Sequence, residues 1–424
     1  MSDTRSENAS GAAGAGGLVL LSAYACEPGK GSEPEVGWSW LQAYLHAGWR
    51  VRVITRANNR DAILAACPGA EVMAHEPAAF WLWLKRRTGG LGQRFYYLLW
   101  QASLARRIAP LAAQADLVQH VTLVNAWSPT APGMAGLPFI WGPVGGGDDP
   151  PWRLLAGLGP LGAAKELGRM AMRRLMTWLP ATRRTARNSV LALATTPASE
   201  SLLRRLGARQ VGLLSQVALS PADLALLTRV PISAGPSGAD PLRLIIISEL
   251  VRRKGLHLVF AGLARLPPEL PWSLDIIGRG HEARLLMRLA AAQGLNGRVR
   301  FIGPLERKKL MLFLHQYHLL LHLSLRDSGG MVCAEAMAAG LGVICLDLGG
   351  PAAITPVEAG IRLPAQNAAQ IAADLAHAIR QLSDQPKRLQ AMRHAGRAHA
   401  LANLSWEARQ NRYSALLRGA GVLL

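Results

Sequence analysis

Short runs of aliphatic and β-branched residues alternate with longer stretches of helical periodicity along the whole chain, and few folds accommodate that pattern. Strands separated by helices cannot pair through tight turns, so repeated alternation predicts parallel sheets covered by helices. In the first half, residues 18–23, 50–55, 117–121, 138–141 and 190–195 read as buried strands. In the second half, residues 242–248, 272–277, 298–302, 318–323 and 342–346 do the same. Between the halves, residues 228–241 are rich in Pro, Gly and Ser and unlike either flank, which marks a domain boundary. The α/β architecture expected is therefore two Rossmann-like domains with a cleft between them. A flexible tail (1–17) precedes a first domain (18–228), a linker (229–241), a second domain (242–402) and an amphipathic last helix (403–424). Open parallel sheets bind ligands beyond the carboxyl ends of their strands, so the functional loops should face the cleft.

Charge narrows the partners. Lys and Arg number 47 against 27 Asp and Glu, a net charge of +20. That surplus favours an anionic partner: a phosphorylated small molecule, a membrane surface or nucleic acid. Half the residues are apolar and 17% are charged, which excludes a disordered, solvating chain. Residues 80–107 hold six Lys/Arg, seven aromatics and no acid, and residues 165–187 hold seven Lys/Arg against Glu166 alone. Basic residues interleaved with Trp and Leu suit contact with an anionic bilayer, with Trp81, Trp83 or Trp100 inserting unless they belong to the core. A solvated face over a domain core is the alternative, and nucleic-acid binding is set aside. No apolar run is long enough to span a bilayer, and residues 1–17 lack the features of a signal peptide. Four scattered cysteines form no framework and imply a reduced compartment.

Several stretches carry chemistry. The strand at 318–323 runs into Arg326-Asp-Ser-Gly-Gly-Met-Val-Cys-Ala-Glu-Ala-Met-Ala-Ala-Gly340. A Gly-Gly turn opening a helix leaves free N–H groups and a positive dipole end, fit for an anion. Asp327 and Glu335 stand eight apart, one before the helix and one inside it, where a carboxylate can accept from sugar hydroxyls. Upstream, Ile-Ile-Ser-Glu-Leu-Val-Arg-Arg-Lys-Gly (246–255) sets Lys254 at a helix start, where an ammonium adds to an anion site. Gly278-Arg-Gly280 follows the 272–277 strand; alone it is a weak dinucleotide signal. In the first half, Gly/Pro loops at 23–38 and 141–147 include Gly31, Gly145 and Gly146. His120 closes the 117–121 strand, as either a site residue or a satisfied structural histidine. His315, His318 and His322 straddle a helix–strand junction and need not converge on a metal. No Asp-x-Asp clamp for a metal–diphosphate occurs.

The run Asp-Ser-Gly-Gly-Met-Val…Glu-Ala-Met-Ala-Ala-Gly-Leu…Asp-Leu-Gly-Gly-Pro, with the 246–255 loop, resembles glycosyltransferase family 4. These are retaining, nucleotide-sugar-dependent enzymes of GT-B fold. The 23–38 and 141–147 loops resemble a subgroup associated with bacterial surface polysaccharides. The resemblance implies that Lys254 contacts the donor diphosphate; with Glu249 unable to hold a phosphate, Arg252 or Arg253 would stand in for the family's arginine. It implies that Asp327, Ser328, Gly329, Gly330, Met331, Val332 and Glu335 line the donor site with Gly278 and Gly280, and that Gly31, Gly145 and Gly146 approach from the first domain. It places His120 near the sugar and lets the last helix cross back onto the first domain. Two departures stand out: Asp327 where the family has Glu, and Glu249 where it often has Arg. What the resemblance implies is a glycosyltransferase with no cofactor and no metal. It would move a sugar from a nucleotide-sugar donor to a lipid-linked saccharide at an anionic inner membrane face, as a cytoplasmic, peripheral protein in polysaccharide or glycoconjugate synthesis. The other readings are a GT-B nucleotide-sugar epimerase and a non-catalytic basic protein that binds membrane or nucleic acid.

Overall fold

The computed structural model describes residues 16–233, 235–236 and 240–422. The tail expected at 1–17 lies almost wholly outside the described residues, as do part of the linker and the side chains of Lys85 and Arg86. Thirteen strands among the described residues form two sheets, all pairings parallel. The first contains β1 (Leu18–Ser22), β2 (Arg50–Thr55), β3 (Glu71–Ala74), β4 (Leu117–His120), β5 (Phe139–Val144), β6 (Ser189–Ala194) and β7 (Val211–Leu213), in the order β3-β2-β1-β4-β5-β6-β7. The second contains β8 (Leu242–Ile247), β9 (Trp272–Ile277), β10 (Val299–Gly303), β11 (Leu319–His322), β12 (Gly342–Leu346) and β13 (Gly360–Leu363), in the order β10-β9-β8-β11-β12-β13.

All ten apolar runs read from the sequence form strands, within a few residues at their ends; the run 298–302, read as buried, is the edge strand β10 and has no buried residue. Central strands such as β1 and β12 are buried at every position, as helices on both faces require. The strands absent from that reading, β3, β7 and β13, are all sheet edges. An edge is wetted along one side, so β3 (Glu-Val-Met-Ala) carries no continuous apolar run and has no buried residue.

One tie between the two units is a pair of crossing segments. Leu219 N–H donates to Leu404 O (2.7 Å) and Trp406 N–H donates to Leu219 O (3.0 Å), joining the segment that leaves the first sheet to the one that returns. Ser405 caps the returning helix Trp406–Gly419 by accepting from Ala408 N–H. That helix lies on the helix Ser32–His46: Tyr413 meets Tyr44 (2.5 Å between hydroxyls) and Gln119, and the buried Arg409 donates to Ser39 Oγ at 3.0 Å while lying over Trp40. On the other side, the buried Arg393 holds Gly340 O and Ser233 O, and Arg397 holds Val230 O and Ala339 O.

One stretch packs against its position in the chain. Leu154, Leu155 and Leu158 lie between β5 and β6 in sequence yet join the core of the second sheet beside Leu256 and Phe260. The helix Gly159–Trp178 that follows has no buried residue. In the long helix Ala79–Ala105, Trp100 is fully buried and so is not an inserting side chain; Trp81 packs partly on the same core, while Phe80 and Trp83 are exposed. No described helix is long and apolar enough to cross a membrane.

Candidate functional site

The carboxyl ends of the two sheets face each other. A Cβ on Gly145, just after β5, would stand 3.1 Å from Ser328 Cβ, in the loop after β11. The loops meeting there are laced from within. After β8, the turn Arg252–Lys254 ends at Gly255, whose φ is +76° and whose missing Cβ would lie 1.9 Å from Leu323 O. Leu325 N–H also donates to Arg253 O at 2.9 Å. Only glycine allows that approach, and it seats Lys254 beside Asp327 with Nζ 2.8 Å from Oδ2. Gly278 and Gly280 support the same loop from β9: a Cβ on either would strike Ser248 O or Leu250 O. Their close packing on backbone accounts for both glycines. Arg253 pairs outward with Glu249 at 2.7 Å, so the acid at the departing position is answered by its own neighbour.

Asp327 is consumed locally. Its Oδ1 accepts from Gly329 N–H and Gly330 N–H, both at 3.1 Å, and its Oδ2 faces Lys254 and His322 Nε2 (3.3 Å). Burial would raise its pKa, but the His322 hydrogen bond and the Lys254 charge hold it well below the usual carboxylate range. The shorter arm of Asp thus ends inside its own loop. Gly330, with φ +84°, then opens the helix Met331–Ala338, whose first residues Met331 and Val332 are half-buried. Gly329 faces Gln216.

Glu335, in the second turn of that helix, is buried and accepts from Arg307 Nη2 at 2.6 Å. Burial pushes its carboxyl up to about 7; Arg307 opposes this and Asp223 adds to it. Arg307 also reaches Asp223 at 3.2 Å, and its charge works to lower the carboxyl of Glu35, which burial raises. Gly31 abuts this arginine, its missing Cβ 3.7 Å from Arg307 Cδ. One guanidinium therefore gathers acids from three separate segments around Glu335. The sequence reading missed Arg307, though it stands just beyond the carboxyl end of β10, where a cleft ligand is met.

His120 is held within the first sheet. It is wholly buried, with Nε2 against Tyr97 Oη (2.9 Å) and Gln101 Nε2 (3.1 Å), and Nδ1 against Ser22 O (3.0 Å). Burial lowers its pKa to about 4, against the pull of Ser22. Both ring nitrogens of this neutral histidine are thus engaged inside the domain. Nearby, the half-buried carboxylate of Glu33 accepts from Leu123 N–H (2.9 Å), and Leu123 is the one described non-glycine residue with positive φ, at +54°. Gly146, with φ +89°, turns under Trp127 and Asn125. His318 accepts from Arg243 N–H while His322 turns to Asp327, and no group of three metal-ligating side chains converges among the described residues.

Comparison with known proteins bears on this site. Residues 234–399 match the family model described as Glycosyl transferases group 1, which takes in Lys254, Asp327 and Glu335. Similar proteins include glycogen synthase of Mycobacterium tuberculosis, 28% identical over 181 residues, or 42% of this chain and 43% of that one. Another is D-inositol 3-phosphate glycosyltransferase of Streptomyces bingchenggensis, 32% identical over 123 residues, or 29% of this chain and 26% of that one. The matches thus span less than half the length of these curated relatives. Among solved structures, sucrose-phosphate synthase from Thermosynechococcus elongatus aligns with a TM-score of 0.63 at 21% identity, over 95% of this chain and 98% of that one. At that identity the likeness is one of fold, and the two facing parallel sheets are the GT-B fold.

Proposed function

We propose that this chain is a glycosyltransferase that moves a sugar, with retention, from a nucleotide-sugar donor to a lipid-linked saccharide in bacterial polysaccharide or glycoconjugate synthesis. The observation that carries the reading is the Lys254–Asp327 pair at the amide end of the helix Met331–Ala338, inside the segment that matches the transferase model. A diphosphate leaving group needs cations and N–H donors aimed at its developing charge. Lys254, the free amides of that helix and its dipole supply them without a metal. Glu335 would exchange its Arg307 contact for hydroxyls of the donor, and the leaving phosphate would assist deprotonation of the acceptor. The membrane side of the reading rests on the net charge and on the exposed Phe80, Trp83, Phe95 and Leu98 of the helix Ala79–Ala105. Basic residues near an anionic bilayer are worth on the order of 1 kcal/mol each. We place the protein at the cytoplasmic face on that basis.

A thermal-shift screen of UDP-, GDP-, ADP- and TDP-sugars tests the donor half, because a ligand that binds only the native state raises apparent stability. One series is expected to raise Tm; no shift with any of them overturns the reading. Turnover of the donor with no acceptor present would instead favour an epimerase.

Glu335 makes the binding pH-dependent. A hydroxyl donates to a carboxylate, so the donor selects the ionised form, while the diphosphate itself does not titrate near neutrality. With the Glu335 carboxyl pushed up to about 7, affinity should climb as pH rises through neutrality and flatten above it. Glu335→Gln should abolish the slope, and Arg307→Ala should move it to higher pH, since that guanidinium is what opposes burial. Calorimetric titration across pH reads this directly. A flat profile in the wild-type protein removes Glu335 from the contact.

A further inference from the structure

The helix Gly159–Trp178 is amphipathic in the reverse sense. Its outward residues include Leu161, Leu167, Met172, Leu175 and Trp178, exposed by 69, 53, 54, 63 and 73%. Lys165 and Arg174 are exposed among them, and Glu166 is the single acid between Pro150 and Glu200. Its charged residues Glu166, Arg169 and Arg173 turn inward instead, to a ladder across the mouth of the cleft. Arg326 Nη1 donates to both oxygens of Glu166 at 3.0 and 3.1 Å. Arg169 joins Glu166 (2.7 Å) to Asp149 (2.9 Å), and Arg173 holds Asp149 and Gly146 O (2.9 Å). The inner face therefore grips the loop after β5 and the residue next to Asp327 at once.

A helix in water turns its apolar stripe to the core. This one turns Glu166, Arg169 and Arg173 inward beside Ala163 and Met170, which pack on the core of the second sheet, and presents about 30 Å of apolar surface outward. That surface is flanked by cations with no exposed acid, the charge complement of an anionic bilayer and of an interfacial helix. Its end continues through the helix Pro180–Asn188 to the turn Ala131–Met134, which also touches the helix Ala79–Ala105 and its exposed aromatics. We propose that the helix Gly159–Trp178 lies on an anionic membrane by its Leu161–Leu167–Leu175–Trp178 face, and that docking is transmitted through Glu166 and Arg326 to the loop carrying Asp327. The proposal rests on the membrane part of the reading above and names the element and the route. Bilayer contact thereby orders the donor loop, so that the site is best formed where a lipid-linked acceptor is present.

The full chain is tested in two measurements, neither needing a sugar nucleotide. In flotation with vesicles of phosphatidylglycerol and phosphatidylethanolamine, the wild-type protein should float, less so with phosphatidylcholine and less in salt. The double variant Leu167→Glu/Leu175→Glu should lose most of that binding, at least tenfold, while melting like the wild type. Hydrogen exchange then reads the route: amides in residues 323–332 should slow severalfold on anionic vesicles. In Glu166→Gln they should not slow although the protein still floats, and Glu166→Asp should restore part of the response. Unchanged flotation of the double variant overturns the docking face, and unchanged exchange in vesicle-bound wild type overturns the route. A concentration-dependent dimer lost in the double variant, with flotation intact, would assign the face to a second copy and overturn the proposal. A failed donor screen would leave both measurements standing, so the two readings fail separately.

Discussion

Replacing Lys254 by Ala is expected to lower kcat/KM by roughly 10²–10³, the scale for losing one preorganised charge at a developing anion. Lys254 is the cation held against Asp327 at the amide end of the Met331–Ala338 helix, in a site its neighbours keep mostly from water. Its loss removes two things together. The diphosphate loses its ammonium, and Asp327 keeps only His322 and two amides, so its carboxyl moves up toward the ordinary range. The fold should survive, because the backbone of the turn is fixed by Gly255 and Leu325 rather than by the lysine. Steady-state kinetics with the donor found in the screen, beside a thermal melt, separate these effects. Activity within about threefold of wild type would take Lys254 out of the site.

The largest effect on stability is expected from Gly255→Ala. Alanine at φ +76° costs roughly 1–2 kcal/mol for the left-handed conformation alone. The new Cβ would also stand 1.9 Å from Leu323 O, a backbone atom that cannot swing aside, and forcing such an overlap costs about another 1–3 kcal/mol. Gly294→Ala is the matched control: its φ is +73° and nothing lies within 4 Å of its missing Cβ. Denaturant midpoints should fall clearly further for Gly255→Ala than for Gly294→Ala. Equal losses in the two would mean that the 252–255 turn does not press against β11 as described.

The same residues explain what could be read from the chain and what could not. Central strands announce themselves, since both of their faces must be apolar; β3, β7 and β13 are edges of only three or four residues and do not, while the edge β10 was read because Val299, Phe301 and Ile302 are apolar although none is buried. Lys254, Asp327, Gly329, Gly330 and Glu335 were legible because each lies in a short continuous stretch with its own turn chemistry. Arg307 was not, since its partners Asp223 and Glu335 are brought to it only by the fold. His120 is ambiguous for a different reason. A histidine at a strand end has the same local sequence whether it faces the cleft or, as here, Tyr97 and Gln101. The helix Gly159–Trp178 adds a further limit: periodicity reveals that a helix has two faces, and only the tertiary partners of Glu166 and Arg173 tell which one is inside.

The paired crossing at Leu219 and Ser405 has a mechanical consequence. Two chain segments pass between the halves side by side, bonded to each other and clamped at their far ends by Arg393, Arg397 and Arg409. Sliding or twisting across these ties must break hydrogen bonds, and any opening of the cleft must also part Glu166 from Arg326 and draw Leu154, Leu155 and Leu158 from the core of the second sheet. A cut at the linker alone would leave the halves joined, because the Trp406–Gly419 helix stays packed on the helix Ser32–His46.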